Sequence, residues 1–232
     1  MTKNMHTFDD GARLAARLAG DVADKLAEAV AEKGAASIAV SGGSTPKAFF
    51  RALSKADIDW EKVTITLVDE RFVPEDSPRS NHKLVKENLL LGPAAAARFI
   101  PLYQNVKTAE EAAEIVTNKV SATSLPFDVV VLGMGTDGHT ASFFPGGDTL
   151  GRALDMKTPA GVMSMHAEGA GEARLTFTFS SLENAGLLVL HIEGREKMDV
   201  LEKALAGDDE TEMPIRAVLS RATSPVNIYW AP

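Results

Sequence analysis

The feature that most constrains the fold is a junction that recurs along the chain: a short apolar run halts at a glycine-rich or charged segment. Phe127-Asp-Val-Val-Val-Leu132 is the clearest case, ending in Gly133-Met-Gly-Thr-Asp-Gly-His-Thr140. It is apolar on both faces, as a central parallel strand must be. Ser37-Ile-Ala-Val40 halts at Ser41-Gly-Gly-Ser-Thr-Pro46, and Val63-Thr-Ile-Thr-Leu-Val68 at Asp69-Glu-Arg71. Helical patterns separate these runs. Leu14, Leu18, Val22, Leu26 and Val30 recur every four residues among alanines, which predicts a helix over 9–32 ended by Gly34. Further helices are expected over 47–56, 81–91, 109–124, 195–206 and 214–220, and further strands over 161–166, 174–179, 187–192 and 226–230. Strands alternating with helices predict an α/β fold with a mainly parallel sheet flanked by helices. Ligands of such sheets bind beyond the C-terminal strand ends, where all three polar clusters fall.

Composition narrows the function. Lys plus Arg total 24 against 32 Asp plus Glu, a net charge of −8 over 232 residues. That argues against nucleic-acid or anionic-membrane binding, which needs a basic face, but leaves a small anion open. The absence of cysteine excludes a disulfide scaffold, a thiolate metal site and a Cys nucleophile. The N-terminus has no apolar leader core, and no apolar run could span a membrane. A single domain over 1–232, cytoplasmic, is the expectation. The acidic run 208–212 reads as a solvated loop.

Ser41-Gly-Gly-Ser-Thr-Pro46 has the make-up of a phosphate cradle. Gly42 and Gly43 let the backbone approach a ligand, Ser44 and Thr45 offer hydroxyls and helix caps, and Pro46 suits a first helical turn. It is not a Walker loop, and an ordinary strand–helix turn or a nucleophile elbow at Ser41 are the alternatives. Asp69-Glu-Arg71 reads either as a solvated strand end or as a carboxylate and guanidinium set at the ligand edge. Gly133-Met-Gly-Thr-Asp-Gly138 matches G-x-G-x-x-G, yet lacks the helix and acidic strand tip of a dinucleotide site. What remains is a glycine loop, with Gly135 at its centre, that presents Asp137 and His139. A histidine beside a carboxylate is the usual general-base arrangement. Lys197 falls in the first turn of a helix, where a cation is unfavourable against the dipole; a ligand anion would offset that cost, and a solvated lysine is the alternative. No histidine pair has zinc-site spacing.

These segments together resemble the glucosamine-6-phosphate isomerase/6-phosphogluconolactonase family. S-G-G-S-T-P, D-E-R-x-V-P followed by S-N-H, L-G-M-G-x-D-G-H-T-A-S-x-F-P and E-G-x-x-K occur in its order, and the likeness covers nearly the whole chain. It implies a Rossmann-like fold and hydrolysis of 6-phospho-D-glucono-1,5-lactone to 6-phosphogluconate, with no cofactor and no metal. Arg71 follows Asp-Glu where the deaminases of the family have Tyr, and Phe144 stands where they carry a Glu. Both departures favour the lactonase branch over a deaminase-like isomerase, and the presence of both His139 and Asp137 argues against a non-catalytic sugar-phosphate sensor. Thr136 and Glu193 depart mildly from the lactonase pattern.

The resemblance makes His139, Asp137 and Arg71 the expected catalytic residues. His139 serves as base then acid, Asp137 orients it, and Arg71 binds either the phosphate or the developing oxyanion. Gly42, Gly43, Ser44, Thr45, Asp69, Lys197 and Gly135 are the expected substrate and phosphate contacts. The expected partner is a small phosphorylated sugar lactone, and the expected assembly a monomer or weak homodimer.

Overall fold

The computed structural model describes residues 2–121 and 125–232. In chain order they form β1 (Lys3–Thr7), α1 (Gly11–Lys33), β2 (Ala36–Val40), α2 (Lys47–Leu53), β3 (Val63–Leu67), β4 (Asp69–Arg71), α3 (Asn81–Asn88), β5 (Arg98–Ile100) and α4 (Ala109–Ser121). There follow β6 (Val129–Leu132), α5 (Leu150–Leu154), β7 (Val162–Met165), β8 (Arg174–Phe177), α6 (Phe179–Leu182), β9 (Leu187–Glu193), α7 (Arg195–Leu205), α8 (Ile215–Arg221) and β10 (Val226–Ala231).

The main sheet runs β1-β10-β9-β6-β2-β3-β5, and every neighbouring pair is parallel. Parallel neighbours need crossover connections, which is why helices separate these strands in the chain and cover the sheet. β2 and β6 are buried at every position, as their unbroken apolar runs require. α1 packs its four-residue stripe onto the sheet: Leu14, Leu18, Val22 and Leu26 are fully buried, and Val30 partly so. The Asp10 carboxylate caps its N-terminus by accepting the Arg13 amide, and Gly34, at φ 80°, closes it.

Other expectations shift. The helix expected over 47–56 stops at Leu53, and of the one expected over 109–124, positions 122–124 lie outside the described residues. The strands expected over 161–166 and 174–179 exist but lie outside the parallel sheet. With β4 they build a separate antiparallel sheet, β4-β8-β7. The link between β7 and β8 is too short for a crossover, so the two can pair only as a hairpin. Asp69-Glu-Arg71 is thus a strand of this second sheet rather than a solvated end. The Phe177 amide ties it to the main sheet by donating to the Val68 carbonyl at 3.0 Å. β1 and β5 were not anticipated: both are edge strands, β1 largely exposed and β5 three residues long, so neither carries a hydrophobic signature. Among the described residues no helix is long and apolar enough to cross a membrane.

From β2 the chain builds outward through β3 and β5, then returns to build β6, β9 and β10 on the other side. The reversal leaves a crevice between the loops after β2 and β6, the place where open α/β sheets bind ligands.

Candidate active site

A cleft of about 330 Å³ opens at that crevice. Of the residues expected from the sequence, Arg71, Gly42, Gly43, Ser44, Thr45, Asp69, Lys197, Gly135 and His139 all line it. Asp137 does not; it stands behind His139.

The loop after β2 contributes a bare stretch of backbone. Among the described residues, the amides of Gly42, Gly43, Ser44 and Thr45 donate to no other protein group. Gly43 has φ 91°, and a Cβ on Gly42 would come within 1.9 Å of Asn81 Oδ1, so neither position takes another residue without displacement. Two details depart from the expectation. Pro46 occupies the N-cap position, and neither Ser44 nor Thr45 caps α2 with its side chain. α2 is also only seven residues long, so the open amides, not a long helix dipole, are what the cradle offers an anion.

The loop after β6 holds the histidine. His139 Nδ1 lies 2.6 Å from Asp137 Oδ1, and the same oxygen accepts the His139 amide at 3.1 Å. Burial pushes the Asp137 carboxyl up, but the hydrogen bond and charge of His139 and the backbone amides more than offset it and hold it below the usual carboxylate range. With Nδ1–H donating to the carboxylate, Nε2 is the acceptor nitrogen. The imidazole folds back over Gly135, where a Cβ would come within 2.2 Å of Cε1 and Nδ1. Its ring stacks on Phe144 with centroids 4.3 Å apart and planes at 30°. Downstream, Ala141 lines the cleft at φ 49°, a left-handed conformation costly for a residue with a Cβ.

Asp69-Glu-Arg71 divides its labour. Glu70 is fully buried and accepts the amides of Arg71, Asn81 and His82 at 2.7–2.8 Å and the Ser80 hydroxyl at 3.1 Å. Burial pushes its carboxyl up against the pull of those donors. It ties the start of α3 to β4, so Asn81 sits beneath Gly42 and donates to the Asp69 carbonyl at 3.0 Å. Asp69 Oδ2 accepts the Ser142 hydroxyl at 2.5 Å. Arg71 faces the cleft, with Nη1 donating to the Arg79 carbonyl at 2.5 Å.

The chain as a whole is similar to known proteins. The family model described as glucosamine-6-phosphate isomerases/6-phosphogluconolactonase matches residues 9–230. The chain belongs to this family. A 6-phosphogluconolactonase of Rhizobium meliloti is 64% identical over the full length of both chains. One from Mesorhizobium japonicum is 51% identical, covering 99% of this chain and 95% of the relative. The crystal structure of a 6-phosphogluconolactonase from Shewanella baltica superposes with a TM-score of 0.95 at 41% identity, over 99% of this chain and 98% of that one.

Within that family frame the cleft holds residues that sequence reading did not assign. Arg174 of β8 lines it and is 8% exposed, its guanidinium carbon 5.3 Å from the Phe144 ring centroid. Burial pushes its pKa down. Asn81, Ser142 and the buried His191, which pairs with Glu193 at 3.0 Å, complete the surroundings. Only the polar Ser80-Asn-His82 run hinted at Asn81. Arg174 enters through the register of the second sheet, which no local pattern encodes. Among the described residues no group of three or more His, Cys, Asp and Glu is placed to hold a metal ion.

Proposed function

We propose that the protein hydrolyses 6-phospho-D-glucono-1,5-lactone to 6-phospho-D-gluconate, the hydrolytic step of the oxidative pentose phosphate pathway, with His139 activating water. The observation that carries this reading is the His139–Asp137 pair at the sheet's switch point, beside a cradle of open amides. Asp137 keeps the proton on Nδ1, leaving Nε2 to accept one from water. As water's oxygen bonds to C1, its proton passes to Nε2 and the carbonyl electrons move onto oxygen. When the tetrahedral centre collapses, the bond from C1 to the ring oxygen breaks and Nε2 returns the proton to that oxygen. Arg71 supplies fixed positive charge at the cleft.

The phosphate is assigned to the amides of Gly42, Gly43, Ser44 and Thr45 together with Lys197. Lys197 stands in the first turn of α7, and its partial burial pushes its pKa down although Glu196 and Asp137 counter this. Ser41 is not needed as a nucleophile: among the described residues its hydroxyl makes no hydrogen bond to a histidine or a carboxylate, so no triad forms. The lactone is an activated ester, so one base with positioning, worth roughly 10²–10⁴-fold, suffices.

The test is a coupled assay on freshly made phosphogluconolactone, corrected for spontaneous hydrolysis. Turnover well above background, with gluconolactone lacking phosphate a poor substrate, is expected. Release of ammonia from glucosamine 6-phosphate instead would mark a deaminase. Binding of phosphorylated sugars without turnover would mark a sensor. Phe144, an apolar ring stacked on the base where a deaminase carries Glu, opposes the first of these.

A further inference from the structure

Among the described residues only three buried side-chain polar atoms lack a hydrogen-bond partner, and two of them are Arg71 Nε and Arg174 Nε. These two residues stand directly opposite each other in the β4–β8 ladder, and both face the cleft. Like charges opposite each other across an antiparallel pair are unfavourable, and orphaned buried donors add to the cost. The nearby acids are already engaged. Asp69 accepts from Ser142, Glu70 from three amides, and Glu172 is paired with Arg79. An anion received between the two guanidinium groups relieves both costs.

The cleft therefore has two cationic poles. Lys197 follows β9 and has Glu196 and Asp137 as its charged neighbours. Arg174 is surrounded by Asp69, Arg71, Glu172 and Glu70, and the two sets share no member. His139 touches a neighbour of each pole: Asp137, a charged neighbour of Lys197, holds its Nδ1, and its ring stacks on Phe144, over which Arg174 lies. A compact ammonium with open amides suits a phosphate, whereas planar guanidinium groups suit the planar, two-oxygen geometry of a carboxylate.

We infer that Arg71 and Arg174 form a second anion subsite, distinct from the phosphate cradle, which receives the C1 oxygens of the substrate as they become the oxyanion and then the product carboxylate. The inference rests on the lactone reading and deepens it. The lactone carbonyl is neutral, so the pair gains most of its interaction as charge develops, which favours the transition state over the bound lactone. The same property makes the carboxylate product bind well.

The experiment is calorimetric titration with two ligands that differ only at C1, 6-phosphogluconate and glucitol 6-phosphate. The wild-type protein is expected to bind the carboxylate ligand about tenfold or more tightly, the range for hydrogen bonds to charged groups. Arg174→Gln is expected to abolish this preference while leaving glucitol 6-phosphate affinity nearly unchanged. Lys197→Ala is expected to weaken both ligands alike and keep the preference. Should Arg174→Gln not fold, Arg71→Lys, which keeps the charge but loses the Nε donor, is expected to reduce the preference in the same way. A wild-type protein that binds both ligands equally overturns the subsite and spares the phosphate site. A preference that survives in Arg174→Gln, or equal weakening of both ligands by it, also overturns the subsite. A wild-type protein that binds neither ligand removes the lactone reading itself.

Discussion

His139 is the side chain to which the proposed function assigns the base, and its surroundings make a substitution there readable. It is partly exposed and its loop is held by backbone bonds, among them the Gly135 amide to the His139 carbonyl at 2.8 Å. His139→Ala is therefore expected to fold normally and to lower kcat by roughly 10²–10⁴-fold with little change in KM. A folded variant with near wild-type kcat would show that the base lies elsewhere. Lys197 gives a pH dependence. Burial lowers its pKa, so the ammonium is lost as pH rises through a window that opens below the usual lysine value of about 10.4. Across that window binding of 6-phosphogluconate is expected to weaken, while this residue's contribution to stability moves oppositely, because the folded state sheds its proton first. Lys197→Arg should flatten the alkaline limb in calorimetric titrations, and an unchanged limb would mean that another group titrates. His139 and Asp137 were legible in the sequence because glycines surround them at a strand end. Arg174 was not, since it reaches the cleft only through pairing with Arg71, 103 residues away in sequence.

Strands and loops hold these groups by close approach, and two substitutions separate that role from chemistry. Gly135→Ala would place a methyl within 2.2 Å of the imidazole and 2.6 Å of Asp137 Oδ1. The expected result is a large fall in kcat with a melting temperature close to wild type, because the imidazole can swing towards the cleft. A variant with full kcat would show that the observed His139 rotamer is not the working one. Glu70→Ala acts on the fold instead. It would strand three backbone donors and the Ser80 hydroxyl in a fully buried place, at a cost on the order of 3 kcal/mol or more. Urea denaturation should show that loss, and a loss below 1 kcal/mol would mean that α3 finds other caps. The long helix α1 and the buried strands β2 and β6 could be read from the sequence, since each carries its periodicity locally. The second sheet could not, because the same alternation serves parallel and antiparallel strands alike and only the length of the β7–β8 link decides between them.

The molecule as a whole is acidic, yet Arg71, Arg174 and Lys197 gather round one cleft, so local donors rather than the net charge of −8 set what enters it. That cleft spans the loops after β2, β3, β6 and β9, whereas β1 lies at the sheet's far edge with β10 between it and β9. The separation makes the edge removable in principle without touching the chemistry. β1 pairs along its whole length with β10, from Lys3 opposite Val226 to Thr7 opposite Trp230. His6 stacks on Tyr229 with centroids 4.6 Å apart, and the Tyr229 hydroxyl donates to Asp21 Oδ2 at 2.6 Å, joining the edge to α1. β1 buries little apolar surface, so its contribution comes from the ladder hydrogen bonds and this stack, about 1–2 kcal/mol in net terms. Deleting residues 2–7 should then lower the melting temperature by on the order of 5 °C in a chain of this size. Activity per folded molecule should stay near wild type. The bared β10 edge should also raise self-association, visible by gel filtration as concentration rises, because an unprotected edge strand offers a ready ladder to a second copy. An unchanged melting temperature would show that β1 contributes nothing to the folded state. A stably folded deletion variant that has lost its activity would show that the edge and the cleft are coupled through β10 and β9.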